Sequence, residues 1–287
     1  MVTTDFLTPE AIDSFIVSAL KEDIGSGDVS TLGSIPETLL AKAVLKIKAN
    51  GLMAGMQLAQ AIFRKVDPEL VFSPTINDGD SFVYGDIGFE VSGKGRSILT
   101  AERLVLNCMQ RMSGIATKTS NLSTLIKGQK AKLLDTRKTT PNFRMLEKWA
   151  VQIGGGVNHR FGLFDMVMLK DNHIDFAGGI SNAVTKTKSY LKNERLDLKI
   201  EVETRNISEV KEALDAGVDA IMLDNMMPSD MKEAVRLVNS SCLLEASGGI
   251  TENTIQEIAE CGVDYISVGA LTHSFKSLDM SLKAVKI

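Results

Sequence analysis

The stretch LKIEVETRNISEVKEALDAGVDAIMLD (198–224) holds two apolar runs that each end in acidic residues, with a polar segment between them. The runs LKIEVE (198–203) and DAIMLD (219–224) predict buried strands, and the segment 206–216 predicts a helix. The short interval between the runs leaves room for little besides one helix and two tight loops. The stretch therefore predicts a βαβ unit with parallel strands that are covered by helices.

The same pattern repeats through the second half of the chain. Further strands are predicted at AKLLD (131–135), FDMVML (164–169), CLLEA (242–246) and VDYISV (263–268). Helices between the six strands are predicted at 141–152, 174–192, 206–216, 229–239 and 252–261. Because a complete α/β barrel has eight such units, the pattern favours an open, incomplete TIM-like α/β barrel or a doubly wound sheet.

The first half of the chain lacks this regular alternation. Thr8 and Pro9 predict the start of a helix that continues to about Lys21. The other elements are predicted as a half-buried strand at 41–50, a helix at 51–66, short strands broken by turns at 77–80, 84–86 and 92–95, and a long helix at 98–126. We therefore expect a separate α+β domain.

The composition is typical of a soluble globular protein. The chain has 287 residues, of which 44% are hydrophobic and 24% charged, and its formal net charge is −4. These values exclude a disordered chain, which combines low hydrophobicity with high net charge. Nucleic acid is not an expected partner, because no basic excess exists to neutralise phosphates and aromatic residues amount to only 5%.

Cysteine spacing and the N-terminal sequence bear on the compartment. Cys108, Cys242 and Cys261 follow no spacing typical of disulfide frameworks or zinc sites, which suits a reducing compartment. Asp5 and two further acidic residues precede any apolar run, which is unlike a signal peptide. No stretch approaches the roughly 20 apolar residues of a membrane span. We expect a cytoplasmic protein without a membrane partner.

Polar, charged or glycine-rich residues follow every predicted strand of the second half. In both candidate folds ligands bind at the carboxyl ends of the strands, so these residues are candidates for an enzyme site. In chain order they are Thr136, Arg137, Lys138, His159, Arg160, Lys170, Glu203, Asp224, Ser247, Gly248, Gly249, Val268, Gly269 and Ala270. Two of them, His159 and Arg160, lie in the segment before the second strand.

The charges among these candidates have both signs. The arginines and lysines, with His159 beside them, imply an anionic substrate, because a guanidinium matches carboxylate and phosphate groups. Glu203 and Asp224 suggest Mg²⁺, which typically takes one or two carboxylates plus substrate oxygens. The glycines after the last two strands predict a phosphate pocket, since glycine permits close approach of the backbone.

Two features leave alternatives open. Lys199, Glu201 and Glu203 share one face of the third strand, and buried charges need partners. A structural pair of Lys199 with Glu201 near the barrel floor is therefore one interpretation. Gly154–Gly156 is either a mobile loop or a tight turn.

The candidate residues lie in motifs that resemble those of the quinolinate phosphoribosyltransferase family, also called nicotinate-nucleotide pyrophosphorylase (carboxylating). The most specific motifs are TRKTTP (136–141), GGGVNHR (154–160) and LKDNHI (169–174), in this order. Further matching stretches are EDIGSGDVST (22–31), TAERLVLNCMQRMSGIAT (100–117), EVE (201–203), IMLDN (221–225), LEASGGI (244–250) and YISVGALTHS (265–274). The resemblance therefore spans nearly the whole chain.

The resemblance implies a fold, an assembly and a reaction. The fold would be an N-terminal α/β sandwich domain (1–117, joined by the tail 275–287) followed by an open, incomplete α/β barrel (118–274). The assembly would be a homodimer in which the N-terminal domain of one subunit covers the barrel of the other. The reaction would join quinolinate to phosphoribosyl pyrophosphate with Mg²⁺, giving nicotinate mononucleotide, pyrophosphate and CO₂ in NAD biosynthesis.

The resemblance also implies roles for single residues. The pyridine dicarboxylate would be held by Arg137, His159, Arg160 and Lys170, and by Arg103 of the neighbouring subunit. Lys138 would meet the phosphates, and Thr136 would also bind substrate. Glu203 and Asp224 would serve the ribose hydroxyls and Mg²⁺. The 5′-phosphate would be cradled by Ser247, Gly248, Gly249, Gly269 and Ala270, and Val268 would also bind substrate.

The same resemblance assigns catalysis to Lys170, Glu203 and Asp224. Cleavage at the ribose carbon passes through an oxocarbenium-like state, which a nearby carboxylate can stabilise. Lys170 would either supply a proton or bind a carboxylate. The alternatives are a related phosphoribosyltransferase for another pyridine carboxylate, a Schiff-base lyase that uses Lys170, and a non-catalytic sensor of a phosphate ligand.

Overall fold

The computed structural model describes residues 6–285, which form two compact units. The N-terminal unit contains residues 6–120, 140–155 and 274–285, and the barrel unit contains residues 121–139 and 156–273. Residues 140–155, which the sequence analysis placed with the barrel, belong to the N-terminal unit in this division. Asp5, which entered the argument on a signal peptide, lies outside the described residues.

Helices and strands alternate along most of the chain. The helices are α1 (Pro9–Ile24), α2 (Val29–Ser34), α3 (Met56–Val66), α4 (Gly95–Leu125), α5 (Arg144–Ile153), α6 (Asp171–Ala177), α7 (Ile180–Glu194), α8 (Ile207–Asp215), α9 (Pro228–Val238), α10 (Ile255–Ala259) and α11 (Ala270–His273). The strands are β1 (Leu40–Ile47), β2 (Gly51–Leu52), β3 (Val71–Pro74), β4 (Ser81–Phe82), β5 (Ile87–Lys94), β6 (Lys132–Leu134), β7 (Val167–Leu169), β8 (Ile200–Thr204), β9 (Ala220–Asp224), β10 (Leu243–Ser247), β11 (Tyr265–Ser267) and β12 (Met280–Val285). Within residues 6–285 no helix is both long and apolar enough to cross a membrane.

An antiparallel sheet in the order β12-β1-β5-β3 forms the centre of the N-terminal unit. The alternation in β1 is confirmed, because Ala43, Leu45 and Ile47 are buried. The start of α1 is also as predicted, since Thr8 Oγ1 accepts the Ala11 N–H at 3.1 Å and Pro9 opens the helix.

The predicted helix at 51–66 is wrong at its start. Gly51–Leu52 instead pairs with β4, and the helix begins only at Met56. Gly55 precedes it with φ +100°, which separates strand from helix, and the Asp78 carboxylate accepts the N–H groups of Met56 and Gln57. The capping carboxylate is 22 residues from Met56 in the chain, so the local pattern did not reveal it.

Six parallel strands in the order β6-β11-β10-β9-β8-β7 form the barrel unit, and all six predicted strands are confirmed. From β7 to β11 consecutive strands are neighbours, and the first strand, β6, pairs with the last, β11, which is the order of a barrel and not of a doubly wound sheet. Because β6 and β7 are the two edges, the barrel is open and incomplete. The helix predicted at 174–192 is interrupted by Gly178 and Gly179, whose φ angles are +83° and +114°.

Candidate active site

A cavity of about 700 Å³ lies at the carboxyl ends of the barrel strands. Its lining includes fourteen of the predicted site residues: Thr136, Arg137, Lys138, His159, Arg160, Lys170, Glu203, Asp224, Ser247, Gly248, Gly249, Val268, Gly269 and Ala270. Arg103 is not in this lining and lies exposed on α4 in the N-terminal unit. Residues that sequence reasoning missed also line the cavity, among them Asp135, Asn225, Glu245 and His273.

The buried carboxylate of Asp135 organises the segment that carries His159 and Arg160. It accepts the backbone N–H of His159 at 2.9 Å and the side-chain amide of Asn158 at 2.6 Å. Asp135 directly follows β6, so its position at a strand end was the one available signal. The segment is therefore attached to the edge of the sheet beside β6.

Two arginines give one side of the cavity a concentrated positive charge. The Arg160 side chain is buried, and its Nη1 donates to the carbonyl of Met166 at 3.2 Å. Burial, followed by the like charge of Arg137, lowers the pKa of Arg160. Arg137 Nε is buried and has no hydrogen-bond partner among residues 6–285. A buried donor without a partner is costly, so an anionic ligand would stabilise this arrangement.

Lys170 and Glu203 form an ion pair at the ends of neighbouring strands, with Nζ 2.7 Å from Oε2. The amine of Lys170 is therefore held as an ammonium partner of a carboxylate, which does not suit a Schiff-base nucleophile. The predicted pair of Lys199 with Glu201 is wrong. Lys199 is exposed at the opposite end of the strand and binds Asp219 at 2.7 Å, whereas Glu201 is fully buried.

Glu201 instead meets His159 and Glu245 beneath the cavity. His159 Nε2 lies 2.8 Å from Glu201 Oε2 and 3.4 Å from Glu245 Oε2. Burial and the neighbouring Glu245 raise the pKa of Glu201 to about 7. Burial opposes the charged form of His159, but the two carboxylates outweigh it and raise the pKa of His159 to about 10.

A backbone contact acts on His159 in the other direction. The Arg160 N–H points at Nδ1 over 2.7 Å, and an Nδ1 that accepts this bond carries no proton. The carboxylates thus favour the imidazolium and the backbone favours the neutral ring. In both forms Nε2 carries a hydrogen that is directed at Glu201.

Glycines after β10 leave space that side chains would fill. Gly248 has φ +94°, and a Cβ there would lie 2.2 Å from Asn225 Oδ1. Asn225 itself has φ +53°, donates its backbone N–H to the Ser247 carbonyl at 2.8 Å and its side-chain amide to Asp224 at 2.8 Å. Gly248 therefore leaves room for the asparagine that orients Asp224.

Gly269 makes a similar close approach after β11. A Cβ at this position would lie 3.0 Å from His273 Nε2 and 3.1 Å from Lys138 Cδ. Thr272, in the helix after β11, contacts the segment after β6, because its hydroxyl donates to the Lys138 carbonyl at 2.9 Å. The Lys138 side chain thus lies close to the backbone of Gly269, where a larger residue would crowd it.

The glycine run Gly154–Gly156 begins as a tight turn. Gly154 ends α5, and a Cβ there would lie 2.5 Å from the Ala116 carbonyl of α4. Gly155 follows with φ +87°. Close helix packing, with a left-handed residue after it, accounts for these two glycines.

A second cavity, of about 550 Å³, lies at the amino ends of the same strands and provides a contrast. Its charges are paired within the protein, since Lys130 binds Asp264 and Lys199 binds Asp219, each at 2.7 Å. Of these two cavities, only the one at the carboxyl ends is lined by an arginine with a buried guanidinium nitrogen that has no partner among the described residues. Fold and site thus define an α/β-barrel enzyme whose substrates are anionic.

Comparison with known proteins narrows this class to phosphoribosyltransferases. The model of the quinolinate phosphoribosyl transferase N-terminal domain matches residues 28–113, and that of the C-terminal domain matches residues 115–283. The chain therefore belongs to the quinolinate phosphoribosyltransferase family.

Individual relatives agree with this assignment. Quinolinate phosphoribosyltransferase [decarboxylating] 1b of Nicotiana tabacum is 46% identical, over 96% of this chain and 87% of that protein. A chloroplastic nicotinate-nucleotide pyrophosphorylase [carboxylating] of Oryza sativa subsp. japonica is 49% identical, over 92% of this chain and 75% of its own length. The crystal structure of NadC from Streptococcus pyogenes superposes with a TM-score of 0.91 at 41% identity, covering 99% of this chain and 100% of that one.

Proposed function

We propose that this enzyme transfers the phosphoribosyl group of phosphoribosyl pyrophosphate to quinolinate and that decarboxylation follows, giving nicotinate mononucleotide, pyrophosphate and CO₂. The observation that carries the proposal is the buried Arg137 Nε without a partner, beside the like charge of Arg160. A substrate with two carboxylates supplies the negative charge that these guanidinium groups lack. The family to which the chain belongs supports the same reaction.

The cavity suits the two halves of this substrate pair. Arg137, Arg160 and Lys170 would hold the pyridine dicarboxylate, so that the ring nitrogen faces the ribose carbon in line. The glycines after β10 and β11, together with Lys138, would surround the phosphates. Glu203 and Asp224 lie between these regions in the sheet and would stabilise the positive charge that develops on the ribose.

Electrons released by decarboxylation stay within the substrate. Once the ring nitrogen carries the ribose it is a cation, and the carbon next to it can bear the electron pair that CO₂ leaves behind. A proton must then reach this carbon. Lys170, whose ammonium already binds Glu203 at the cavity wall, is our candidate donor, and binding of a substrate carboxylate is its alternative role.

Glu203 and Asp224 also fit a Mg²⁺ ion by the chemistry of their oxygens. Both carboxylates line the cavity, and within residues 6–285 they do not join a cluster of three ligating side chains. A pair of carboxylates completed by substrate oxygens is the usual environment of Mg²⁺. When bound, the ion would offset the negative charge that builds on departing pyrophosphate.

The assembly is part of the proposal. Arg103 is exposed on α4, and in a homodimer it would reach the cavity of the neighbouring subunit. The exposed position suits such a role, and the family resemblance motivates it.

The cytoplasmic location stays a prediction, since relatives include proteins named as chloroplastic and mitochondrial.

The reaction is tested by the choice of base. Purified enzyme with phosphoribosyl pyrophosphate is offered quinolinate, nicotinate or phthalate, and nucleotide products are identified by mass spectrometry. We expect nicotinate mononucleotide from quinolinate alone, because phthalate lacks the ring nitrogen and nicotinate lacks one carboxylate. Turnover of nicotinate in preference to quinolinate would instead support a relative that acts on another pyridine carboxylate.

A further inference from the structure

Three buried side chains from separate parts of the barrel unit meet beneath the cavity. His159 is 5% exposed, Glu201 0% and Glu245 1%, and both carboxylates approach the same nitrogen, Nε2 of His159. Glu201 belongs to β8 and Glu245 to β10, so carboxylates from two strands face one ring, and Glu201 makes the hydrogen bond to it. The family resemblance assigns quinolinate binding to His159 and no role to these two glutamates.

The geometry disfavours a metal ion in this cluster. A histidine that binds a metal normally donates the hydrogen of its other nitrogen to an acceptor. Here the other nitrogen, Nδ1, faces a donor, the Arg160 N–H at 2.7 Å. Nε2 therefore keeps its hydrogen, and that hydrogen is directed at Glu201.

The contacts of the ring form a chain toward the cavity. Glu201 accepts the Nε2 hydrogen at 2.8 Å, with Glu245 Oε2 3.4 Å from the same nitrogen, and Nδ1 accepts the Arg160 N–H. The Arg160 guanidinium is held in turn by the Met166 carbonyl at 3.2 Å. Both ring nitrogens are thus directed at protein atoms.

We propose that Glu201 is a positioning residue for quinolinate recognition, which fixes His159 through Nε2–H and thereby holds the Arg160 backbone and guanidinium in the cavity. The inference rests on the proposed function, because it names quinolinate as the ligand of Arg160. It gives His159 a supporting role in place of direct carboxylate binding.

Kinetics test the action of Glu201 through His159. In Glu201→Met the acceptor for Nε2–H is lost, and we expect the KM for quinolinate to rise about tenfold while the KM for phosphoribosyl pyrophosphate changes less than about twofold. Glu201→Gln keeps an acceptor oxygen and should restore most of the quinolinate KM. Asp219→Asn is the matched control, because Asp219 binds the neighbouring Ile200 N–H from the opposite end of the barrel. An equal rise of both KM values in Glu201→Met would overturn the proposal. A quinolinate KM in Glu201→Gln that stays as high as in Glu201→Met would also overturn it.

A spectroscopic measurement needs neither turnover nor a stable Met variant. The chain has three histidines, so ¹⁵N-histidine labelling gives few signals, and His159 is assigned by its substitution. We expect an Nε2–H signal from His159 that is protected from exchange, that keeps its position when quinolinate saturates the enzyme, and that shifts in Glu201→Gln. A signal that moves strongly with quinolinate and ignores Glu201→Gln would contradict the proposal. Absence of quinolinate turnover in the wild type with this signal intact would instead count against the proposed function.

Discussion

Among single residues, substrate recognition depends on two neighbouring cationic side chains, one of which keeps a buried donor without a partner among residues 6–285. Arg137 and Arg160 lie close enough for the charge of one to lower the pKa of the other, and Arg137 Nε is buried without a hydrogen bond among the described residues. Such a site is destabilised by its own charge until an anion binds. The arrangement therefore favours ligand binding over stability.

Removal of either arginine should weaken quinolinate binding. We expect Arg137→Ala and Arg160→Ala each to cost about 2–5 kcal/mol, the usual loss when one partner of a desolvated charge pair is removed. Isothermal titration with quinolinate alone measures this. Arg205→Ala is the control, since Arg205 is an exposed barrel-unit arginine that pairs with Glu209 and Asp175 outside the cavity. Wild-type affinity in both cavity variants would show that these arginines do not bind the dicarboxylate.

The two carboxylates Glu203 and Asp224 lead to a prediction about metal. Turnover should require a divalent ion, whereas quinolinate binding should not, because the ion would act at the pyrophosphate. EDTA should abolish product formation and added Mg²⁺ restore it, and titration with quinolinate should give the same affinity in both conditions. Full turnover after exhaustive metal removal would contradict this assignment.

Much of the residue-level site was predictable, since most of the cavity residues named in the sequence analysis lie at the end of a recognisable strand, with His159 and Arg160 in the segment before β7. The partners of buried charges were not. Glu201 was paired with Lys199, two positions away on the same face, but its partner His159 comes from a segment 42 residues earlier. Periodicity shows which residues share a face of one strand. It does not show which distant loop contacts that face.

At the element scale, the turns after the barrel strands shape the phosphate side of the cavity. Gly248 and Gly262 both have φ above +90°, so alanine would be strained at each by about 1–2 kcal/mol. Only at Gly248 would the new Cβ collide with Asn225, at 2.2 Å from Oδ1. At Gly262 the nearest atom is 3.5 Å away, an ordinary contact.

This contrast gives a paired prediction. Gly248→Ala should displace Asn225 and the Asp224 carboxylate that it orients, and lower kcat/KM for phosphoribosyl pyrophosphate at least about tenfold. Gly262→Ala should lose comparable thermal stability and keep its kinetic constants. Steady-state kinetics with thermal melts of both variants separate the two effects. Equal kinetic constants in the two variants would mean that the turn after β10 does not shape the site.

The elements themselves were well predicted where apolar periodicity dominates. All six barrel strands and the helix at 98–126 agree closely with the observed ranges, because buried runs specify them locally. Errors occurred at glycines. Gly55 separates a short strand from α3, and Gly178 with Gly179 divides the predicted helix at 174–192, because a left-handed residue ends an element even where the apolar pattern continues.

At the scale of the whole molecule, the prediction concerns a site shared between subunits. Arg103 is exposed on α4 and Lys170 lies in the cavity. In the proposed dimer each active site takes Lys170 from one subunit and Arg103 from the other. When Arg103→Ala and Lys170→Ala subunits are mixed equally and reassociate, about half the dimers are hybrids, and each hybrid has one intact site. About a quarter of wild-type activity should therefore return from two inactive proteins.

Subunit exchange must be shown separately, by native mass spectrometry with one tagged chain. Each variant alone, taken through the same exchange procedure, is the control for incomplete inactivation. Hybrids that form without any recovered activity would mean that Arg103 does not act across a dimer interface.

Release of labelled CO₂ shows whether this cavity couples phosphoribosyl transfer to decarboxylation of quinolinate. Quinolinate is labelled in the carboxyl group next to the ring nitrogen and incubated with enzyme and Mg²⁺, with and without phosphoribosyl pyrophosphate. We expect labelled CO₂ only when phosphoribosyl pyrophosphate is present, in equal amount to the nicotinate mononucleotide formed, because the ribosylated nitrogen is the electron sink. Release without phosphoribosyl pyrophosphate, or nucleotide formation that retains the label, would contradict the account.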